Sequence, residues 1–231
     1  ADTRVHAYAQ LQGPMTIGAG NTIYPFCCLG LPPQDKSAPP GTPTPGVVIG
    51  DRNVIREYST VHAATREQPT RVGDENYIML GGHIGHDTQM GSHCVFVNRV
   101  SIGGHAVVED HATISGNTGV HQFTRVGRYC MIASGSAVTQ DVPPFCTLYA
   151  NRTIGSLNLV GLRRAGLRAH IRPLNKAFRV LADQNHTAQM REVLIGEACG
   201  DDPLCMELAA FFRKSKRGVF RFSRHRNERG G

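Results

Sequence analysis

The chain has 231 residues and a formal net charge of +7; the eight Lys and Arg residues and single Glu between 213 and 231 account for that excess, leaving a neutral body with a basic terminus. No apolar run approaches the roughly 18 residues of a membrane span and no signal-peptide-like stretch leads the sequence. No helix-turn-helix, finger or aromatic-rich signature supports nucleic acid as a partner, and seven cysteines without a CxxC spacing read as buried or free thiols in a reducing compartment.

From its start the chain keeps a six-residue beat, with Val5, Leu11 and Ile17 already in phase, which suggests coils preceding Ala1. Ile17, Ile23 and Leu29 define three successive faces, a, b and c. A Pro-rich interruption at about 30–46 cannot continue a hydrogen-bonded ladder and reads as an excursion loop. The beat resumes at Ile49 (a), Ile55 (b) and Val61 (c), breaks again at about 63–70, and then runs without a slip as Val72, Ile78, Ile84, Met90, Phe96, Ile102, Val108, Ile114, Val120, Val126, Ile132 and Val138. A period of six fits neither a helix nor an ordinary strand, and short repeats of this kind mark a parallel β-helix whose coil takes three hexads. Both interruptions leave from face c, which marks that corner as a place where the scaffold is modified.

The beat stops at Asp141-Val-Pro-Pro144 and the sequence turns helical. Leu174, Ala177, Phe178 and Leu181 have helical spacing behind Pro173, and Asp202-Pro203 forms a cap and first turn for a helix presenting Leu204, Leu208, Phe211 and Phe212. The expected organisation is a β-helix over 1–144, then a linker, an α-helical cap and a basic tail over 145–231. The basic tail is either a solvated end or a docking surface for an acidic partner.

Placed on the coil map, His62, His83, His86, His105 and His121 all flank face c, five of the eleven histidines in the chain. Coils stack at about 4.8 Å, so these side chains should form a ladder beside both loops. Metal binding and general-base catalysis are the two chemistries such a ladder can serve. In Gly81-Gly82-His83-Ile84-Gly85-His86-Asp87 the glycines permit close approach of a ligand, and Asp87 is the candidate to orient His86.

The stretch Gly82-His83-Ile84-Gly85-His86-Asp87, with Ile102-Gly103-Gly104-His105, Val120-His121-Gln122-Phe123 and Gln140-Asp141-Val142-Pro143-Pro144, resembles the UDP-N-acetylglucosamine O-acyltransferases that begin lipid A synthesis. Ile49 to Glu57, Gly161 to Arg164 and Phe211 to Gly218 extend the likeness over nearly the whole chain, short of the family's first two or so coils. The resemblance implies a left-handed parallel β-helix of hexapeptide repeats with a C-terminal helical cap, assembled as a cytoplasmic homotrimer with active sites between subunits. It implies transfer of an (R)-3-hydroxyacyl group from acyl carrier protein to the 3-position of a UDP-linked N-acetylglucosamine or its 3-amino analogue, without cofactor or metal. By resemblance His86 is the general base, Asp87 its partner and Gly104 the amide that holds the oxyanion. Asp35, His62, His83, His105, His121, Gln122, Asn158 and Arg164 bind substrate, and Met131, Ser134 and Arg152 line the acyl pocket. The chain departs from the family pattern at Val160, where a glutamate is usual, at Ala165, at Arg152 in place of a frequent histidine, and at Ser134 in place of a frequent glycine. A sugar N-acyltransferase with another acyl donor, a metal enzyme like the γ-class carbonic anhydrases, and a non-catalytic scaffold are the competing readings.

Overall fold

The computed structural model describes residues 2–39, 41–183, 186–200 and 202–223. The hexads form three sheets, one for each face, with six strands on face a, nine on face b and seven on face c. Pairing along the hexads is parallel, and Val95 sits beside Thr113 and Thr113 beside Met131, a step of 18 residues. The fold is the expected left-handed parallel β-helix. Across the first excursion the step lengthens to 32, from Met15 to Val47, and across the second to 23, from Val54 to Tyr77. Register resumes after each, so the loops are added at one corner without slipping the ladder.

From Ile23 to Val138 every hexad residue points inward and is at most 3% exposed. Burying each of these side chains stabilises the fold by roughly 1.5–3 kcal/mol. The glycines that often follow them have a steric cause: a Cβ at Gly73 would lie 2.6 Å from Gly91 O, and one at Gly103 would lie 2.7 Å from Gln122 N. Most corners turn on a residue three past the inward one, held near φ +60°. Arg52, Glu75, His93, His111 and Tyr129 form one such column at the a–b corner, and Asp87, His105 and Phe123 form another at the c–a corner. A left-handed backbone costs a non-glycine residue of order 1 kcal/mol, and ring stacking along the column offsets part of it.

Face b runs on past the last hexad. Cys146–Leu148 adds a parallel strand beside Met131–Ile132, and Ile154–Leu157 returns antiparallel to it. There follow α1 (Leu159–Arg164), a 3-10 turn (Arg168–His170), α2 (Ile171–Ala182), α3 (Ala188–Cys199) and α4 (Pro203–Lys214). As expected, Pro173 lies in the first turn of α2, which buries Leu174, Ala177 and Leu181, and Asp202 caps α4 by accepting from Leu204 N and Cys205 N. The basic tail begins ordered. Ser215 Oγ donates to Asp141 at 2.7 Å, and residues 219 and 222 bridge to 141 and 154. Its remainder, 224–231, lies outside the described residues.

Candidate active site

The second loop leaves face c just after His62 and returns at Thr70, and it brings donors onto the turn that follows His83–Ile84. Asp87 occupies that turn at φ +59°, a conformation that aspartate tolerates better than most residues. Its Oδ1 accepts from Thr65 N and Arg66 N, both at 3.0 Å, and its Oδ2 accepts from Thr65 Oγ1 at 2.7 Å. Its own N–H donates to Thr70 Oγ1 at 2.8 Å. Burial pushes the Asp87 carboxyl up, but the bonds from Thr65, His86 and Arg66 together outweigh it and hold the group below the ordinary carboxylate range. Asp87 is therefore an anion, and His86 Nδ1, 2.7 Å from Oδ2, is the donor in that pair. His86 Nε2 is left with its lone pair free, in a residue only 9% exposed.

That nitrogen lies against the next coil at Gly104. A Cβ at residue 104 would come within 2.5 Å of it, so only glycine fits beside this imidazole. The neighbouring amides are satisfied, Gly103 N by Val120 O at 2.8 Å and His105 N by His86 O at 2.9 Å. Gly104 N–H has no acceptor among the described residues. A buried acceptor nitrogen and an unoccupied N–H thus share one small corner, where a proton can be removed and a developing negative charge held.

The other predicted residues of this corner gather around it. His105 stands edge-on to His86 with ring centroids 5.0 Å apart and Nε2 3.7 Å from Asp87 Oδ2, and it stacks on Phe123 at 4.6 Å. Burial lowers its pKa, with Asp87 pulling the other way. His83 bonds Thr60 Oγ1 through Nδ1 at 2.8 Å, and burial beside His62 and His86 brings its pKa down to about 4, so it stays neutral near pH 7. His62 packs on His83 at 5.3 Å and donates from Nδ1 to Pro32 O at 2.8 Å, which ties the Pro-rich loop to the corner. Asp35 in that loop accepts from Ser37 N and Oγ, both at 2.8 Å, which lowers its pKa, and it is close enough to feel His86 and His105. His121 and Gln122 sit one coil further on, exposed, with His121 Nδ1 3.1 Å from Gln122 O. One ring nitrogen from each of His86 and His105 and an Asp87 oxygen lie within 4.8 Å of one another, a spacing that suits a metal ion. The four donors already on the Asp87 carboxylate oppose that use, since an ion would have to displace them.

The remaining predicted residues are elsewhere. Met131, Asn158 and Arg164 line a cavity of about 1080 Å³ on face b beneath α1 and α2, with Val160, Phe178 and Arg179. Asn158 has its amide engaged there, Oδ1 capping α1 through Gly161 N at 3.0 Å and Nδ2 donating to Tyr129 O at 2.9 Å. Ser134 Oγ donates to Gly116 O at 2.7 Å and Arg152 Nη2 to Thr139 Oγ1 at 2.6 Å, both residues exposed. Met131, Asn158 and Arg164 thus lie along face b, which does not touch the c–a corner, whereas Ser134 stands at the b–c corner and Arg152 reaches Thr139 at the end of face c. Sequence reasoning missed Thr65, Arg66 and Thr70; the only signal for them was the break in the beat at 63–70.

The family profile described as "Udp N-acetylglucosamine O-acyltransferase; Domain 2" matches residues 141–220. An acyl-[acyl-carrier-protein]–UDP-N-acetylglucosamine O-acyltransferase of Verminephrobacter eiseniae is 38% identical over 219 residues, covering 91% of this chain and 83% of the relative. One from Synechocystis is 36% identical over 208 residues, covering 89% and 74%. Among solved structures, the UDP-N-acetylglucosamine acyltransferase of Bacteroides fragilis superposes with a TM-score of 0.91 at 31% identity, over 95% of this chain and 87% of that one. The Francisella novicida enzyme gives 0.85 at 30% identity, over 95% and 90%. With whole-chain relatives at this level and a matching scaffold, the chain belongs to the UDP-N-acetylglucosamine O-acyltransferase family.

Proposed function

We propose that the chain transfers an (R)-3-hydroxyacyl group from the thioester of acyl carrier protein to the 3-hydroxyl of UDP-N-acetylglucosamine, the step that opens lipid A synthesis. The observation that carries this reading is the buried pairing of His86 Nε2, free to accept a proton, with the unoccupied Gly104 N–H. A sugar hydroxyl is a poor nucleophile. As its oxygen attacks the thioester carbonyl, His86 Nε2 takes the proton, worth roughly 10²–10⁴ in rate. The carbonyl oxygen gains charge and is held by Gly104 N–H, a contact worth about 3 kcal/mol. Collapse expels the carrier's thiolate, which recovers the proton from the imidazolium. Asp87 keeps Nδ1 protonated throughout, so the basic nitrogen is always the one facing substrate. His62, His83 and Asp35 are assigned to the sugar side of the site, with His105, His121 and Gln122 lining the cleft.

The separation of the face-b residues from the His86 corner supports a homotrimer. Asn158 and Arg164, assigned to the nucleotide, and Met131, assigned with Ser134 and Arg152 to the acyl chain, lie along face b, away from the His86 corner of their own chain. A head-to-tail contact, with face b of one copy against the c–a corner of the next, completes a site, and three such contacts close a ring. Beside the face-b cavity, Arg163, Arg168, Arg172, Lys176 and Arg179 line a groove of about 1020 Å³ that shares Leu159, Asn175 and Arg179 with it. This concentration of positive charge suits docking of an acidic carrier protein. No helix among the described residues is long and apolar enough to cross a membrane. A cytoplasmic location is assigned from the acyl carrier protein donor.

The test is an assay with purified trimer, UDP-N-acetylglucosamine and matched (R)-3-hydroxyacyl thioesters of acyl carrier protein and of coenzyme A. Transfer from the carrier, with a product alkali-labile at an ester, is the expected result. Preference for coenzyme A would overturn the donor assignment, and an amide product the acceptor assignment.

A further inference from the structure

We infer that Thr65 is a positioning residue for the reaction, holding the Asp87 carboxylate through its hydroxyl so that His86 presents Nε2 to the substrate. The inference rests on the reading of His86 and Asp87 as the reactive pair.

The loop carrying Thr65 is fastened to this pair at both ends. At its start, Thr65 gives Asp87 both a backbone N–H and its hydroxyl, and Arg66 gives a second N–H. At its close, Thr70 Oγ1 accepts from Asp87 N. Only one of these groups at the carboxylate is a side chain, and it lands on Oδ2, the oxygen that also accepts from His86 Nδ1. At 2.7 Å each, these two bonds are the shortest Asp87 makes, and they meet on one atom.

The hydroxyl fixes the position of Oδ2, and with it the direction in which the imidazole points. Loss of the hydroxyl should therefore misplace the base. The backbone donors remain in any variant, so the carboxylate keeps part of its cradle and the loop keeps its anchor.

The experiment compares Thr65→Val, which keeps the shape and removes the hydroxyl, with Thr65→Ser, which keeps the hydroxyl. Each is measured as a trimer for kcat and for KM of both substrates. For Thr65→Val we expect kcat lower by about 10- to 100-fold and KM values within about threefold. Thr65→Ser should recover kcat to within about threefold of the parent. Thr65→Val combined with Asp87→Asn should be no slower than Asp87→Asn alone, because a hydroxyl that acts through the carboxylate has nothing left to position.

A Thr65→Val enzyme with parental kcat would overturn the inference. So would a Thr65→Ser enzyme as slow as Thr65→Val, which would assign the role to packing of the methyl group. If Thr65→Val does not assemble, Thr65→Ala, which also removes the hydroxyl, carries the same comparison alone and combined with Asp87→Asn. Failure of the underlying reading looks different: Asp87→Asn and His86→Ala would then be active whatever happens at Thr65.

Discussion

Two corners of this β-helix carry the same kinds of residue in the same backbone geometry, and only one of them is built as a site. At the a–b corner Glu75, His93 and His111 follow one another near φ +60°, with Tyr129 below; at the c–a corner the column is Asp87, His105 and Phe123. His93 lies 3.3 Å from Glu75 and stacks on His111 at 4.6 Å, much as His105 approaches Asp87 and stacks on Phe123. The difference is cover. The Glu75 side chain is 41% exposed and is paired with Arg52 at 2.7 Å, whereas the Asp87 side chain is 6% exposed and cradled by loop amides and a hydroxyl. Aligned carboxylates and histidines follow from the repeat itself. What distinguishes the candidate site is the pair of loops that dry the corner and supply donors.

The sharpest way to break this contrast is at His86. His86→Ala should lower kcat by roughly 10²–10⁴-fold with the assembly state unchanged by light scattering; a near-parental rate would return the c–a corner to the status of the a–b corner. Next is Gly104→Ala. Its methyl would sit 2.5 Å from His86 Nε2, so the imidazole must move, and kcat should fall by about 10²-fold. A fast Gly104→Ala enzyme would show that the close fit is unnecessary.

A smaller effect concerns pH and stability. His83 has a folded pKa of about 4 against an ordinary 6.5, so as pH falls below 6.5 the unfolded chain takes up a proton that the folded site refuses. Stability contributed by keeping His83 neutral is therefore complete above that window and lost as pH falls from 6.5 toward 4. His83→Gln should melt with a shallower pH dependence over that interval, and a slope equal to the parent's would remove the burial argument. The smallest effect is predicted at the exposed corner. His93→Asn should leave activity unchanged and shift stability by no more than about 0.5 kcal/mol, since its contact with Glu75 is solvent-screened. A large loss there would mean that the a–b corner has a role as well.

Much of the scaffold could be read from the chain before any coordinates. Three faces, both loops and the inward residues follow from a period of six, because that period matches only one way of stacking coils. The histidine corner followed from the same map. The donors to Asp87 did not, because a threonine and two backbone amides in a polar loop have no signature of their own. Helix α3 was missed for a related reason: Ile195 is buried, but Met190 and Val193 are 49% and 57% exposed, so its apolar residues do not form the one-sided stripe that announces a helix. The Gln-Asp-Val-Pro-Pro motif was legible as a family mark, yet in the fold Asp141 secures Arg125 N and Ser215 Oγ, a structural clasp between the last coil and the tail.

The register steps of 18, 32 and 23 residues have a further consequence. Extra chain is admitted at the c–a corner while the strands above and below keep their partners, so loop length is decoupled from the integrity of the prism. Closure entropy grows only logarithmically, and loops of the two lengths seen here differ by roughly 1 kcal/mol in that cost. The corner thus behaves as a graft port. Segments at this corner can be lengthened, shortened or exchanged at small thermodynamic cost on a scaffold that does not change.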